Sequence, residues 1–210
     1  ARLAAAKFFD LEPELFSLVS SGEGTLPTYG FSAAVDGGEL YVEVTKQGGL
    51  VLEAINSRSA GTATLSQEGA AALARDFLAS RGYPSMRESY FIDQGGVITI
   101  NFASVQGDVL CYPDLVKVSV ALDTGRVVGF ESEGYLMNHM IRDLPAPAVT
   151  EAEAQAVVSP ALTVLSHQLT VIPTGGEYEV LCHEFKCQDE HGRHVIVYVN
   201  AQNGQEEKIL

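Results

Sequence analysis

In the stretch VKVSVALDTGRVVGFE, residues 116–131, Val116, Val118 and Val120 alternate with Lys117, Ser119 and Ala121. A period of two marks a half-buried strand, because successive side chains point to opposite faces. The DTG that follows suits a three-residue hairpin loop with its glycine in the left-handed conformation, so two strands joined by a tight turn are predicted. Related patterns stand at LYVEVTKQGGLVLEAI, residues 40–55, and at VIVYVNAQNGQEEKIL, residues 195–210. Their glycines, Gly49, Gly125 and Gly204, lie 76 and 79 residues apart, and so even a period points to tandem supersecondary units.

Ahead of each hairpin the pattern becomes helical. LSQEGAAALARDFLASRGY offers Ser66 as N-cap, an apolar stripe of Leu73, Phe77 and Leu78, and Gly82 where a C-cap glycine belongs, with Pro84 soon after. VTEAEAQAVVSPAL carries a capping box of Thr150 and Glu153, with Pro160 expected to end or bend the helix. AAAKFFDLEP reads as the last turns of a corresponding first helix. Between helix and hairpin comes another strand pair: ESYFI and VITINFASV about DQGG, HQLTVI and YEVLCHEFKC about PTGG, and PTYGFSAAV before DGG in the first copy.

The predicted fold class is therefore α+β, with three tandem modules, each one helix packed on an antiparallel β-meander of about four strands. The expected boundaries are 1–58, with its helix truncated at the start, then 62–143 and 148–210. NSRSAGT, residues 56–62, reads as a linker and LPAPA, residues 144–148, as a short stiff connector. Units this small bury little apolar surface alone, so neighbouring modules are expected to pack together.

Composition narrows the partners. The 210 residues are 46% hydrophobic and carry 27 acidic against 13 basic side chains, a net charge of −14. A phosphate backbone or an anionic membrane surface would be repelled; the excess negative charge either serves solubility alone or draws in a basic protein surface. Cys111, Cys182 and Cys187 make an odd count that argues against a disulfide framework. The apolar runs are too short for a membrane span, and a chain opening on ARLAAAKFF without Met is expected to be a fragment whose targeting segment lies upstream.

No catalytic constellation emerges. CHEFKCQDEHGRH gathers Cys182, His183, Cys187, His191 and His194, but strand alternation sends the two cysteines to opposite faces, and no zinc module has this spacing. No nucleophile elbow, HExxH, P-loop or GxGxxG is present. Cys111 beside Tyr112 and Pro113 reads as a small core residue rather than a nucleophile, and acidic pairs such as Glu131 and Glu133 are expected by chance in so acidic a chain. No catalytic residue, metal site or cofactor is expected.

Two stretches stand out as partner-surface candidates. GYLMNHM, residues 134–140, is too apolar for a plain linker: Tyr135, Leu136, Met137 and Met140 either pack between modules or meet a partner. In CYPDLV, residues 111–116, Pro113 is expected to break strand pairing and present Tyr112 and Asp114 outward, with a simple turn as the alternative.

The helix-plus-hairpin unit resembles the PepSY module of secreted or membrane-anchored bacterial proteins. The residues from GVITINFASVQGDVLCYPDLV to GFESEGYLMNHMIRDL, together with LTVIPTGGEYEVLCHEFKC, resemble the C-terminal region of the YpeB family of spore germination proteins. The resemblance covers essentially the whole chain and is strongest over residues 95–144. It implies a non-catalytic germination protein that binds, stabilises and restrains a SleB-type cortex-lytic enzyme acting on spore peptidoglycan. It also implies an extracytoplasmic place near the spore inner membrane and cortex, with membrane attachment only through an N-terminal anchor that this sequence does not contain. The alternative is a PepSY module that binds peptidoglycan itself or inhibits a protease.

Overall fold

The structure, a computed structural model, describes residues 1–175 and 178–209. It divides into two compact units: residues 1–103 with 114–138, and residues 104–113 with 139–210.

The first unit opens with helix α1, Arg2–Phe9, and a 3-10 turn at Pro13–Leu15, followed by strands β1, Ser17–Gly22, β2, Thr28–Val35, β3, Gly38–Thr45, and β4, Val51–Asn56. Helix α2, Gln67–Ser80, leads to β5, Met86–Gln94, β6, Val97–Gln106, β7, Val109–Ala121, and β8, Val127–Glu131, then to the short helix α3, Glu133–Asn138. The tip of the β6–β7 hairpin belongs to the second unit. β1 to β4 form an antiparallel meander. In the other meander β6 pairs with both β5 and β7, and β7 with β8.

The two meanders join through their last strands. β4 runs antiparallel to β8, with Ala54 opposite Phe130 and Glu53 opposite Glu131. Ala54 and Phe130 each stand five residues after their hairpin glycine, so equivalent residues pair with each other. One sheet face is apolar and covered: Val42, Val44, Val116, Val118 and Phe130 share a core with Ala5 and Ala6 of α1 and Ala70, Ala74 and Leu78 of α2. The capping of α2 follows expectation, since Ser66 accepts a bond from the Gly69 amide and Gly82 has φ +92 just past the C-cap. The stripe shifts, however. Leu73 is exposed, and small Ala70 and Ala74 turn inward because Phe77 already fills space beside Phe8 and Phe130.

In the second unit, α4, Glu151–Gln155, precedes β9, Thr163–Pro173, β10, Glu179–Gln188, β11, His194–Asn200, and β12, Glu206–Ile209. These four strands form an antiparallel meander, and Leu110 and Cys111 of β7 add parallel to β9 opposite Thr170 and Val171. The Thr150–Glu153 capping box is present. The helix stops at Ala156, four residues before Pro160, so proline is not what ends it. Gly176 of the predicted PTGG turn lies outside the described residues.

The three hairpin glycines share one geometry. Gly49, Gly125 and Gly204 have φ +64, +72 and +72, the left-handed conformation predicted. The amides of Thr45, Ala121 and Asn200, four residues earlier in each case, donate to the carbonyls of Leu50, Arg126 and Gln205. Each hairpin also has its bulge at one position, between Glu43 and Val44, Ser119 and Val120, and Tyr198 and Val199. The pattern read from the sequence thus reaches down to single hydrogen bonds.

One local reading needs correction, at Pro113, and two segments add to the picture. β1, rich in serine and exposed along most of its length, gave no apolar alternation to find. Pro113 does not interrupt pairing, because β7 runs unbroken through it from Val109 to Ala121. Residues 57–62 lack regular structure but are tied down: the Arg58 guanidinium forks onto Asp123 at 3.0 and 2.7 Å, and the Gly61 amide donates to the same carboxylate at 2.7 Å.

Candidate functional site

The sheet face of the first unit opposite α1 and α2 carries a row of acids. Alternation along β3 sends Leu40, Val42 and Val44 into the core and leaves Tyr41 and Glu43 on the other side. Register then places Glu43 opposite Glu53, Glu53 opposite Glu131, and Glu131 opposite Lys117, so four strands each contribute one charge. Lys117 Nζ sits 2.7 and 3.0 Å from the Glu131 oxygens, and the Tyr41 hydroxyl donates to Glu43 at 2.7 Å.

Glu53 has carboxylates on both sides. Partial burial first, and the charges of Glu43 and Glu131 after it, raise its pKa above the usual carboxylate value. One lysine against three glutamates leaves the row net negative. Beside it lies a groove of about 310 Å³ lined by Glu53, Ile55, Thr99, Lys117, Ser119 and Glu131, among others. Gly129 keeps this groove open, for a Cβ there would stand 2.9 Å from Ser119 Cβ. Chemically, the surface can receive a cationic side chain from a partner.

The residues singled out from the sequence are spread over both units. In the first, α3 starts where Ser132 is anchored, its amide donating to Leu52 O at 2.9 Å and its hydroxyl to Val51 O at 2.8 Å. Tyr135 turns inward and packs edge-on against Tyr83, ring centroids 4.9 Å apart. Leu136 is half-buried, and Met137 is 47% exposed. Asp114 is fully buried and not presented outward, a correction that follows from its place in the continuous strand β7. Burial first, and the charge of Asp114 second, raise the Tyr135 pKa.

In the second unit Met140 is 60% exposed, beside the more exposed Ile141. Tyr112 is half-buried and meets Tyr198 edge-on at 6.3 Å. Of the six candidates, then, Met137 and Met140 offer substantial apolar surface.

Two polar clusters in the second unit escaped sequence reading. Glu184 is fully buried: Gln168 Nε2 donates to its Oε1 at 2.7 Å, and the hydroxyls of Tyr112 and Tyr198 interact with the same carboxylate. Burial, and secondarily the Glu184 charge, push the hydroxyl pKa of Tyr112 and of Tyr198 far up. The second cluster is a relay of imidazoles. His183 Nε2 lies 2.8 Å from Val149 O, its Nδ1 lies 2.8 Å from His167 Nε2, and His167 Nδ1 lies 3.2 Å from Glu151. Because Val149 O can only accept, the Nε2 of His183 is the donor in that contact. Burial lowers the His167 pKa, with Glu151 opposing. β10 is buried on both faces from Leu181 to Phe185, so no alternation marked these residues as internal.

The cysteines are buried, and burial pushes the Cys182 thiol up to about 12, too high for a nucleophile at neutral pH. Cys182 and Cys187 belong to different core clusters, as expected for opposite strand faces. Among the described residues no group of three or more His, Cys, Asp or Glu could hold a metal ion, and no helix is long and apolar enough to cross a membrane.

The fold is of the α+β class, with few helices and mainly antiparallel strands. A family model described as YpeB sporulation, PepSY1 and PepSY2 domains, matches residues 1–145. The chain belongs to this YpeB family. It is 33% identical over its whole length to the sporulation protein YpeB of Halalkalibacterium halodurans, covering 47% of that protein. To the sporulation protein YpeB of Bacillus subtilis it is 33% identical over 81% of the chain and 38% of the relative. The chain therefore spans about half the length, or less, of these curated relatives. The solved Bacillus megaterium YpeB C-terminal domain matches with a TM-score of 0.88 at 25% identity, covering 100% of this chain and 94% of that one. Neither the family nor the relatives' names indicate a catalytic activity.

Proposed function

We propose that this chain is a docking scaffold of three tandem PepSY-like modules, residues 1–58, 62–143 and 148–210. In this reading it serves spore germination by binding, stabilising and restraining a SleB-type cortex-lytic enzyme outside the cytoplasm. Three successions of one helix and four strands, with their matching glycine turns, support the modular part. Membership of a sporulation family supports the setting.

The observation that carries docking is the uncovered face of the first unit, where Glu43, Glu53 and Glu131 line up beside a 310 Å³ groove. A partner that brings Lys or Arg to this row relieves the repulsion among three neighbouring carboxylates and gains rate by long-range attraction. In the same unit the exposed Met137 offers contact area of the adaptable kind.

Titrating purified chain into the lytic enzyme acting on cortex fragments tests the proposal. A complex and a fall in hydrolysis are expected, both weakened by added salt and by Glu53→Lys with Glu131→Lys. An unchanged rate without a complex at about 100 µM, well above a micromolar dissociation constant, refutes it. Retention on cortex sacculi in the absence of enzyme would favour peptidoglycan as the direct ligand instead.

A further inference from the structure

Among the described residues β5, the first strand after α2, pairs with β6 on one side, which leaves its other side as a sheet edge. Its only protection is charge, from Arg87, Glu88 and Asp93. MRESYFIDQ has no proline and no lysine, and Tyr90, Phe91 and Ile92 are each more than half exposed. In the second unit the corresponding first strand after a helix, β9, is paired on both sides, with β10 and with Leu110 and Cys111 of β7. An edge of this kind in this chain does accept another strand.

The charges on β5 say which strand fits. Arg87 stands three residues before Tyr90 and Asp93 three residues after it, and both are exposed. If a second β5 lies antiparallel with Tyr90 opposite Tyr90, Arg87 faces Asp93 of the other copy twice over, and Phe91 faces Ser89. The strand is its own electrostatic complement about one central residue, which is what a two-fold interface requires. β1 has an open edge too, but SLVSSG carries no charge with which to set a register. The seam between β4 and β8 shows the same geometry inside the chain, with equivalent residues Ala54 and Phe130 opposite each other in antiparallel strands.

We propose that β5 is a self-association edge, through which two copies of this chain pair antiparallel in register about Tyr90. A single strand pair is a small interface, so association is weak, and the chain's net charge of −14 opposes it until salt screens the long-range repulsion.

Sedimentation equilibrium from about 1 µM to about 1 mM at about 0.15 M salt measures it, over the range where small interfaces associate. A monomer–dimer equilibrium is expected. Arg87→Asp places Asp opposite Asp at both ends, Asp93→Arg places Arg opposite Arg, and each weakens dimerisation by about tenfold or more. The double variant Arg87→Asp with Asp93→Arg restores it. These side chains are exposed and outside the core, and circular dichroism confirms that each variant folds. A chain that stays monomeric throughout overturns the proposal. So does a dimer indifferent to the single reversals, or one that the double variant fails to rescue.

Discussion

Replacing each hairpin glycine with alanine tests the repeated turn directly, because the three sites share a backbone but differ in surroundings. At φ +64 to +72 an alanine pays about 1–2 kcal/mol for the left-handed conformation. The unfolded chain loses freedom on the same substitution, which returns about 0.4–1 kcal/mol. Gly49→Ala and Gly204→Ala should therefore each cost about 1 kcal/mol. Their new methyl groups meet nothing closer than Ala4 Cβ at 3.9 Å and Val149 Cγ2 at 3.7 Å.

Gly125 is different. A Cβ there stands 2.9 Å from Leu73 Cδ1 and 3.0 Å from Leu65 Cδ1, so two side chains must move, adding about 1–3 kcal/mol. Gly125→Ala should cost about 2–4 kcal/mol in all. Urea unfolding gives the ranking, and hydrogen exchange places the loss, at the amides of Thr45, Ala121 and Asn200 that close the three turns. If Gly125→Ala cost no more than Gly204→Ala, or if the two open sites were neutral, the turn argument would be wrong.

Phe130, 3% exposed and packed edge-on against Phe8 at 4.7 Å, should cost about 3–5 kcal/mol when cut to Ala and clearly less as Leu, by chemical denaturation. Asp123→Asn should raise the rate of limited proteolysis within residues 57–65, since Arg58 and the Gly61 amide hold that segment through this carboxylate. The Arg58 guanidinium, followed by the Gly61 amide, keeps the Asp123 pKa well below the usual carboxylate range. Its stabilisation is thus complete above about pH 4 and lost as the pH falls further, and that acid-limb loss should shrink in the variant. His167 acts in the same direction at higher pH, through burial and not through an ion pair. Burial lowers its folded pKa, so the unfolded chain binds more protons below about pH 6.5 and stability falls as the pH drops through that value. Glu151, His183 and Glu184 are the titratable groups around it; His167→Gln should flatten the slope between about pH 6.5 and 5 in urea titrations, and an unchanged slope would move its origin elsewhere.

Turns, caps and strand alternation were legible in the sequence because they are local. Three glycines with φ above +60, the Ser66 cap and the Thr150–Glu153 box each depend on residues a few positions apart, and the chain states them directly. Chemistry that depends on distant strands was not. Glu43, Glu53, Glu131 and Lys117 become one row only through the pairing of β3 with β4, β4 with β8 and β8 with β7, and no spacing in the sequence announces it. Asp114 and Glu184 look like surface charges in sequence, yet both are fully buried: Asp114 has the strand parity of Val116 and Val118, which face the core, and β10 is buried on both faces around Glu184. The two methionines could be picked out by their apolar character alone, whereas Tyr135 beside them turned inward because Tyr83, 52 residues earlier, offers it an aromatic edge. Local order was written in the chain; which side chains meet, and which face stays open, was decided by the pairing of strands.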